Sequence, residues 1–151
     1  MFPNNKLIRL VETHWEEIAA GTIRRIRSDE DVPHMQELSD PELVDWARRI
    51  LEALKSWELT GGEESLAIEY NELGRLRFER SVPLYEVVRC LHILKFRVIG
   101  FVRDNAFAQN ALELYAQGEL EHHVGLFYDW LLYNVARGYE QARRRAALLT
   151  S

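Results

Sequence analysis

The side chains best spaced to do chemistry lie in the last third of the chain. Glu119-Leu120-Glu121-His122 has the Glu-x-x-His spacing that sets a carboxylate and an imidazole one turn apart on a helix, and His123 follows. Four-helix di-iron proteins use that motif twice, with two further glutamates from other helices. This chain has no second copy, and a solvated helix face accounts for the single one. No metal and no cofactor is therefore expected. Gly-x-Ser-x-Gly, P-loop, Gly-x-Gly-x-x-Gly and Cys-x-x-Cys motifs are all missing. The carboxylate pairs Glu16-Glu17 and Glu63-Glu64 fall at helix surfaces or starts, where nothing makes one an acid and the other a base. The lone cysteine, Cys90, sits in Val87-Val88-Arg89-Cys90-Leu91 and reads as packing. The residues point to a protein that is not an enzyme.

Binding chemistry is suggested instead by basic residues that break their own helix face. Leu84, Val88, Leu91, Val98 and Val102 form one apolar side of a helix, and Lys95 falls in the middle of it. Glu86, Arg89, His92, Arg97 and Arg103 form the polar side. On the preceding helix Arg77 lies in line with Leu66, Tyr70 and Leu73. A charge in an apolar face is costly unless paired. Either these long chains snorkel or pair with carboxylates such as Glu69 or Glu119, or Arg77, Lys95 and His92 line a pocket for an anionic or polar ligand. His14 also falls on an apolar face, one turn from Leu10 and Ile18, and reads as a satisfied core histidine.

Helices must position these groups, because the hydrophobic period is helical throughout. Five helices are expected. The first covers about Asn5 to Arg27, with Leu7, Val11, Trp15, Ile18, Thr22 and Ile26 on one face. A polar loop, Ser28 to Leu38, follows. Ser39-Asp40-Pro41-Glu42 has capping-box spacing with an early proline, and opens a second helix to about Trp57. Gly61-Gly62 precedes a third, Glu63 to about Arg80, and Ser81-Val82-Pro83 restarts the chain into a fourth, to about Arg103. The fifth runs from about Gln109 to Arg145. At 1.5 Å per residue it is near 50 Å long, more than a domain of this size needs.

Composition agrees with one all-α domain over residues 1–151. The 151 residues are 47% hydrophobic and 28% charged, ordinary for a globular chain and unlike a disordered or disulfide-rich one. The net charge of −5 argues against a nucleic-acid partner. Only three of the 19 basic residues are lysine (Lys6, Lys55, Lys95). Met1 to Lys6 has no apolar core, so no secretory signal is expected. The most apolar stretch, Val82 to Val102, is interrupted by Glu86, Arg89, Lys95 and Arg97, so no membrane span is expected either. A cytoplasmic setting follows.

The last helix is apolar on two sides. Leu120, Val124, Phe127, Leu131, Val135 and Ala142 form the side expected to pack inward; Leu126, Trp130, Tyr133 and Arg137 lie almost opposite. A helix apolar on both sides must be covered on both. Tyr, Trp and Arg are also the residues that dominate interfaces. A homodimer through Leu126, Trp130, Tyr133 and Arg137 is expected. Beyond Tyr139 the helix turns basic, Arg143-Arg144-Arg145, as suits its dipole or a continuation into an output domain.

The run Leu73-Gly74-Arg75-Leu76-Arg77-Phe78-Glu79-Arg80-Ser81-Val82-Pro83-Leu84-Tyr85-Glu86-Val87-Val88-Arg89 resembles the central signature of the RsbRD-type N-terminal domain. The opening helix, with Val11, His14, Trp15 and Ile18, and the long last helix agree with that layout. The resemblance covers most of the chain on loose motifs. It implies an all-helical regulatory domain of the kind found ahead of output domains in bacterial stress-response regulators and sensor histidine kinases. The same segment is similar to globin-coupled sensors, where the position of Arg77 would carry the haem-binding histidine. That similarity implies a globin-like arrangement without haem. Leu91-His92-Ile93-Leu94-Lys95 is also similar to a globin proximal segment. The alternative class is thus a haem- or metal-binding helical protein, using His92 or Glu119, His122 and His123.

Overall fold

The computed structural model describes residues 4–60, 64–105 and 109–150. Those residues form an all-α bundle of six helices rather than the expected five. The additional boundary lies at His14. The helix expected over Asn5 to Arg27 is divided into α1 (Asn4–Thr13) and α2 (Trp15–Arg27). His14 leaves helical geometry at φ −107° and ψ 23°. Its ring Nδ1 donates to the Leu10 carbonyl at 3.0 Å, and the ring packs 5.2 Å from that of Phe101. A side chain competing for the i−4 carbonyl is a known cause of helix bending. His14 is satisfied, as its apolar neighbours suggested.

The segment that follows α2, expected as a polar loop over Ser28 to Leu38, is not polar throughout. Val32, Met35 and Leu38 are buried, the latter two bracketing a 3-10 turn at Met35–Glu37. Gln36 Nε2 ties the turn down by donating to the carbonyls of Ile26 (2.9 Å) and Asp29 (2.7 Å). Backbone buried in this way needs such partners. The acidic run Asp29-Glu30-Asp31 concealed the apolar residues that follow it.

Helix α3 (Asp40–Thr60) starts on the expected capping box. Ser39 N donates to Glu42 Oε1 at 3.1 Å, and Glu42 N donates back to Ser39 Oγ at 3.3 Å. Its apolar side, Leu43, Ala47, Ile50, Leu51 and Leu54, is buried. Helix α4 (Glu64–Glu79) ends in a Schellman arrangement: Val82 N donates to the Arg77 carbonyl and Ser81 N to that of Phe78. Ser81 takes the left-handed position, φ 60°, that glycine occupies at lower cost. Pro83 then leads into α5 (Leu84–Asn105).

The last helix, α6 (Ala111–Thr150), has 40 residues and is about 60 Å long. The Asn110 side chain caps it, accepting from Glu113 N at 2.8 Å. Its expected inner side, Leu120, Val124, Phe127, Leu131, Val135 and Ala142, is buried.

Helices α4 and α6 run parallel and pack most closely of all. Tyr70 meets Trp130, Asn71 Nδ2 donates to Asn134 Oδ1 at 3.0 Å, and Phe78 meets Tyr139. Two glycines permit the approach. A Cβ on Gly74 would run into the Val135 carbonyl, and one on Gly138 into the Asn71 carbonyl. Tyr139 Oη closes the pair by donating to the Val82 carbonyl at 2.6 Å. Among the described residues no helix is long and apolar enough to cross a membrane.

Candidate functional site

The three basic residues singled out from sequence are placed differently from one another. Arg77, on α4, is only 8% exposed, in line with Tyr70 as its spacing predicted. Its Nε is buried with no hydrogen-bond partner, and the carboxylate whose charge acts on its guanidinium is Glu42, not Glu69 or Glu119. Burial, then the Arg80 charge, lowers its pKa from the ordinary arginine value. Cys90 lies near it on the inner side of α5; burial and the Glu86 charge push that thiol up to about 12, which makes it unreactive. Lys95 does not stay in the apolar face. It is half-buried, and its ammonium reaches out to lie 5.7 Å from the centre of the Phe96 ring. His92 is exposed, with its ring 6.4 Å from Phe96.

Of the three, only His92 lines a concavity described here, a groove of about 720 Å³ between α2 and α5. Tyr85, Val88, His92, Ile93, Phe96 and Arg97 of α5 form most of it; Arg25 and Asp31 complete it. Tyr85 and Phe96 are each 65% exposed, unusual for aromatics on a helix the bundle already uses. The Arg97 guanidinium lies across Gly21 of α2, where a Cβ would meet it. Gly21 is therefore the seat of Arg97 and accounts for a glycine inside α2.

Two carboxylates that looked like surface charge hold this corner together. Asp29 is buried and accepts from Asp31 N at 2.9 Å and from Arg89 Nε at 2.6 Å, with Arg25 3.7 Å away. Burial raises its pKa, but those hydrogen bonds and the Arg89 charge outweigh it, and the net shift is downward. Glu86, assigned by its wheel position to the polar side of α5, is fully buried. It accepts from the His34 and Met35 backbone N–H groups (2.8 and 3.1 Å) and from His34 Nδ1 (2.5 Å). A helical wheel misses this because the donors come from a turn some 50 residues earlier.

The expected interface residues lie on α6. Leu126 is 43% exposed, Tyr133 62%, and Arg137 is exposed. Trp130 is instead half-buried, 6.1 Å from the Tyr70 ring and 6.3 Å from Phe127, so it serves its own domain's packing. Ile68 of α4 extends the exposed face, and a shallow groove of about 360 Å³ beside it includes Asn71, Arg75, Asn134 and Arg137. The Glu-x-x-His segment is divided: Glu121 pairs with Arg103, His122 is exposed, and the His123 ring packs against Trp57 at 6.4 Å. Among the described residues no three His, Cys, Asp or Glu side chains form a group able to hold a metal ion.

The exposed Tyr85 and Phe96 and the Arg97–Gly21 contact were not identified from sequence. Aromatics at i and i+11 with Arg89 and His92 between them, on a polar helix face, were the available signal. Compared with protein-family models, curated proteins and solved structures, the chain matches none.

Proposed function

We propose that the chain is a non-enzymatic sensory or regulatory domain of the RsbRD type, cytoplasmic and haem-free. In this reading it dimerises through α6 and relays binding of a ligand or partner to an output domain. The observation that carries the reading is the outer face of α6. Leu126 and Tyr133 stay exposed there, while Phe127, Tyr128 and Leu131 between them are buried in the bundle. Large apolar side chains left in one contiguous face mark interaction sites. Beyond Ala142 the helix continues to Thr150 with no further buried residue, a geometry suited to passing a displacement onward.

Relay requires that an input favour one arrangement of α6 over another. The glycine-lined contact couples α6 to α4, so a displacement of α6 would carry α4 with it. Light scattering at micromolar concentration tests the dimer. The expected mass is twice the 17.7 kDa of one chain, falling to one chain for Tyr133→Glu. A single-chain mass for the unaltered protein would overturn the reading.

A further inference from the structure

The α2/α5 groove lies away from the proposed dimer face and has its own chemistry. Its floor is apolar, Val88 and Ile93, and its two exposed aromatics stand eleven residues apart on α5, about 16 Å along the helix. Its walls carry Arg25, Arg89, Arg97 and His92 against Asp31 alone. Arg89 and Arg25 are engaged by Asp29. Arg97 has no carboxylate or hydrogen-bond partner among the described residues, and Gly21 holds its guanidinium at the groove wall. A volume of about 720 Å³ falls within the range that takes a small organic molecule, roughly 300–1,000 Å³.

We infer that this groove binds an amphiphilic anion. The ligand has an aromatic or aliphatic body no longer than about 16 Å, laid over Val88 and Ile93 between Tyr85 and Phe96. Its single carboxylate, sulfonate or phosphate is held by Arg97, with His92 beside it. An unpaired guanidinium beside apolar surface favours such a ligand: the fork supplies charge-assisted hydrogen bonds, and the aromatics supply buried area. Arg25, Arg89 and Arg97 outnumber Asp29 and Asp31 here, so this corner is locally positive on a chain whose net charge is −5.

The probe is 8-anilinonaphthalene-1-sulfonate, titrated into the full chain and followed by its fluorescence. Saturable binding is expected, weakened about tenfold by Arg97→Ala, the loss of one charge-assisted contact. Phe96→Ala should weaken it comparably. Gly21→Ala displaces the Arg97 guanidinium without altering a lining residue, and should also weaken it. Arg103→Ala, on the same helix outside the groove, and Tyr133→Glu, on the dimer face, should bind as the unaltered chain does. All five positions are at or near the surface except Gly21, so folding is retained in at least four of the five variants. Affinity unchanged from that of the unaltered chain in Arg97→Ala or Phe96→Ala, or loss in Arg103→Ala or Tyr133→Glu, would overturn the inference. Because Tyr133→Glu is expected to abolish dimerisation and keep probe binding, failure of the dimer and failure of the groove are read separately.

Discussion

Single buried polar groups are where the sequence said least. Arg77 was singled out correctly as a cation in an apolar face, because its spacing from Tyr70 and Leu73 is visible in one dimension. Glu86 and Asp29 were not, because the groups that satisfy them come from the Met35 turn and from Arg89, and no local pattern reports a long-range hydrogen bond. Arg77 is 8% exposed and its Nε has no hydrogen-bond partner, and burying a guanidinium in this way is costly. Arg77→Met should therefore raise stability by about 1–3 kcal/mol in urea denaturation; a lower midpoint would show that the guanidinium has a stabilising partner. The Glu42 carboxyl behaves oppositely. The Ser39 N–H and the Arg80 guanidinium at 2.9 Å hold it down at about 2. A depressed carboxylate stabilises the fold fully above its unfolded pKa near 4.5, and that stabilisation is lost as pH falls through 2. Between those limits the unaltered chain should lose stability relative to Glu42→Gln; parallel stability–pH curves for the two would contradict this.

At the scale of elements, four of the six helices, α3 to α6, were legible one by one from the hydrophobic period, the capping box and the restart at Pro83, while α1 and α2 read as one. The division at His14 was not, because it depends on one side chain bonding the Leu10 carbonyl while the apolar period runs through uninterrupted. The intimacy of α4 and α6 was also invisible: Gly74 and Gly138 look like ordinary helix glycines until their neighbours are known. Gly74→Ala should cost at least about 2 kcal/mol, since its methyl group collides with backbone and not with a movable side chain. Gly118→Ala, in open space on α6, should instead gain up to about 1 kcal/mol of helix propensity. Similar thermal midpoints for the two variants would mean that the α4/α6 contact is not close. Ser81→Gly relieves the left-handed cap of α4 and should stabilise by about 0.5–1 kcal/mol, read as a shift in urea midpoint without a change in slope.

Over the whole molecule, the pattern of apolar residues on α6 identified both its inner stripe and its outer one. Trp130, at the edge of the outer stripe, is half-buried and packs against Tyr70 and Phe127 in its own chain. One helical wheel cannot say which neighbour covers a residue at the edge of two faces. What remains outside is Leu126 and Tyr133 with Ile68 of α4, the face through which the proposed dimer would form. The two proposals fall on different faces: the anion groove on α2 and α5, and the dimer face on α4 and α6, which pack through Gly74 and Gly138. The central claim is that two copies meet along α6. The most direct measurement is dipolar spin-label spectroscopy on Arg137→Cys; Cys90, buried with its thiol pushed up to about 12, does not take the label. Two labels on facing helices, whose axes lie about 10 Å apart when packed, should give strong coupling at short distance, and labels at Arg9→Cys on α1 a longer one. Absence of coupling between labels at position 137, or a shorter distance between labels at position 9, would contradict the dimer through α6.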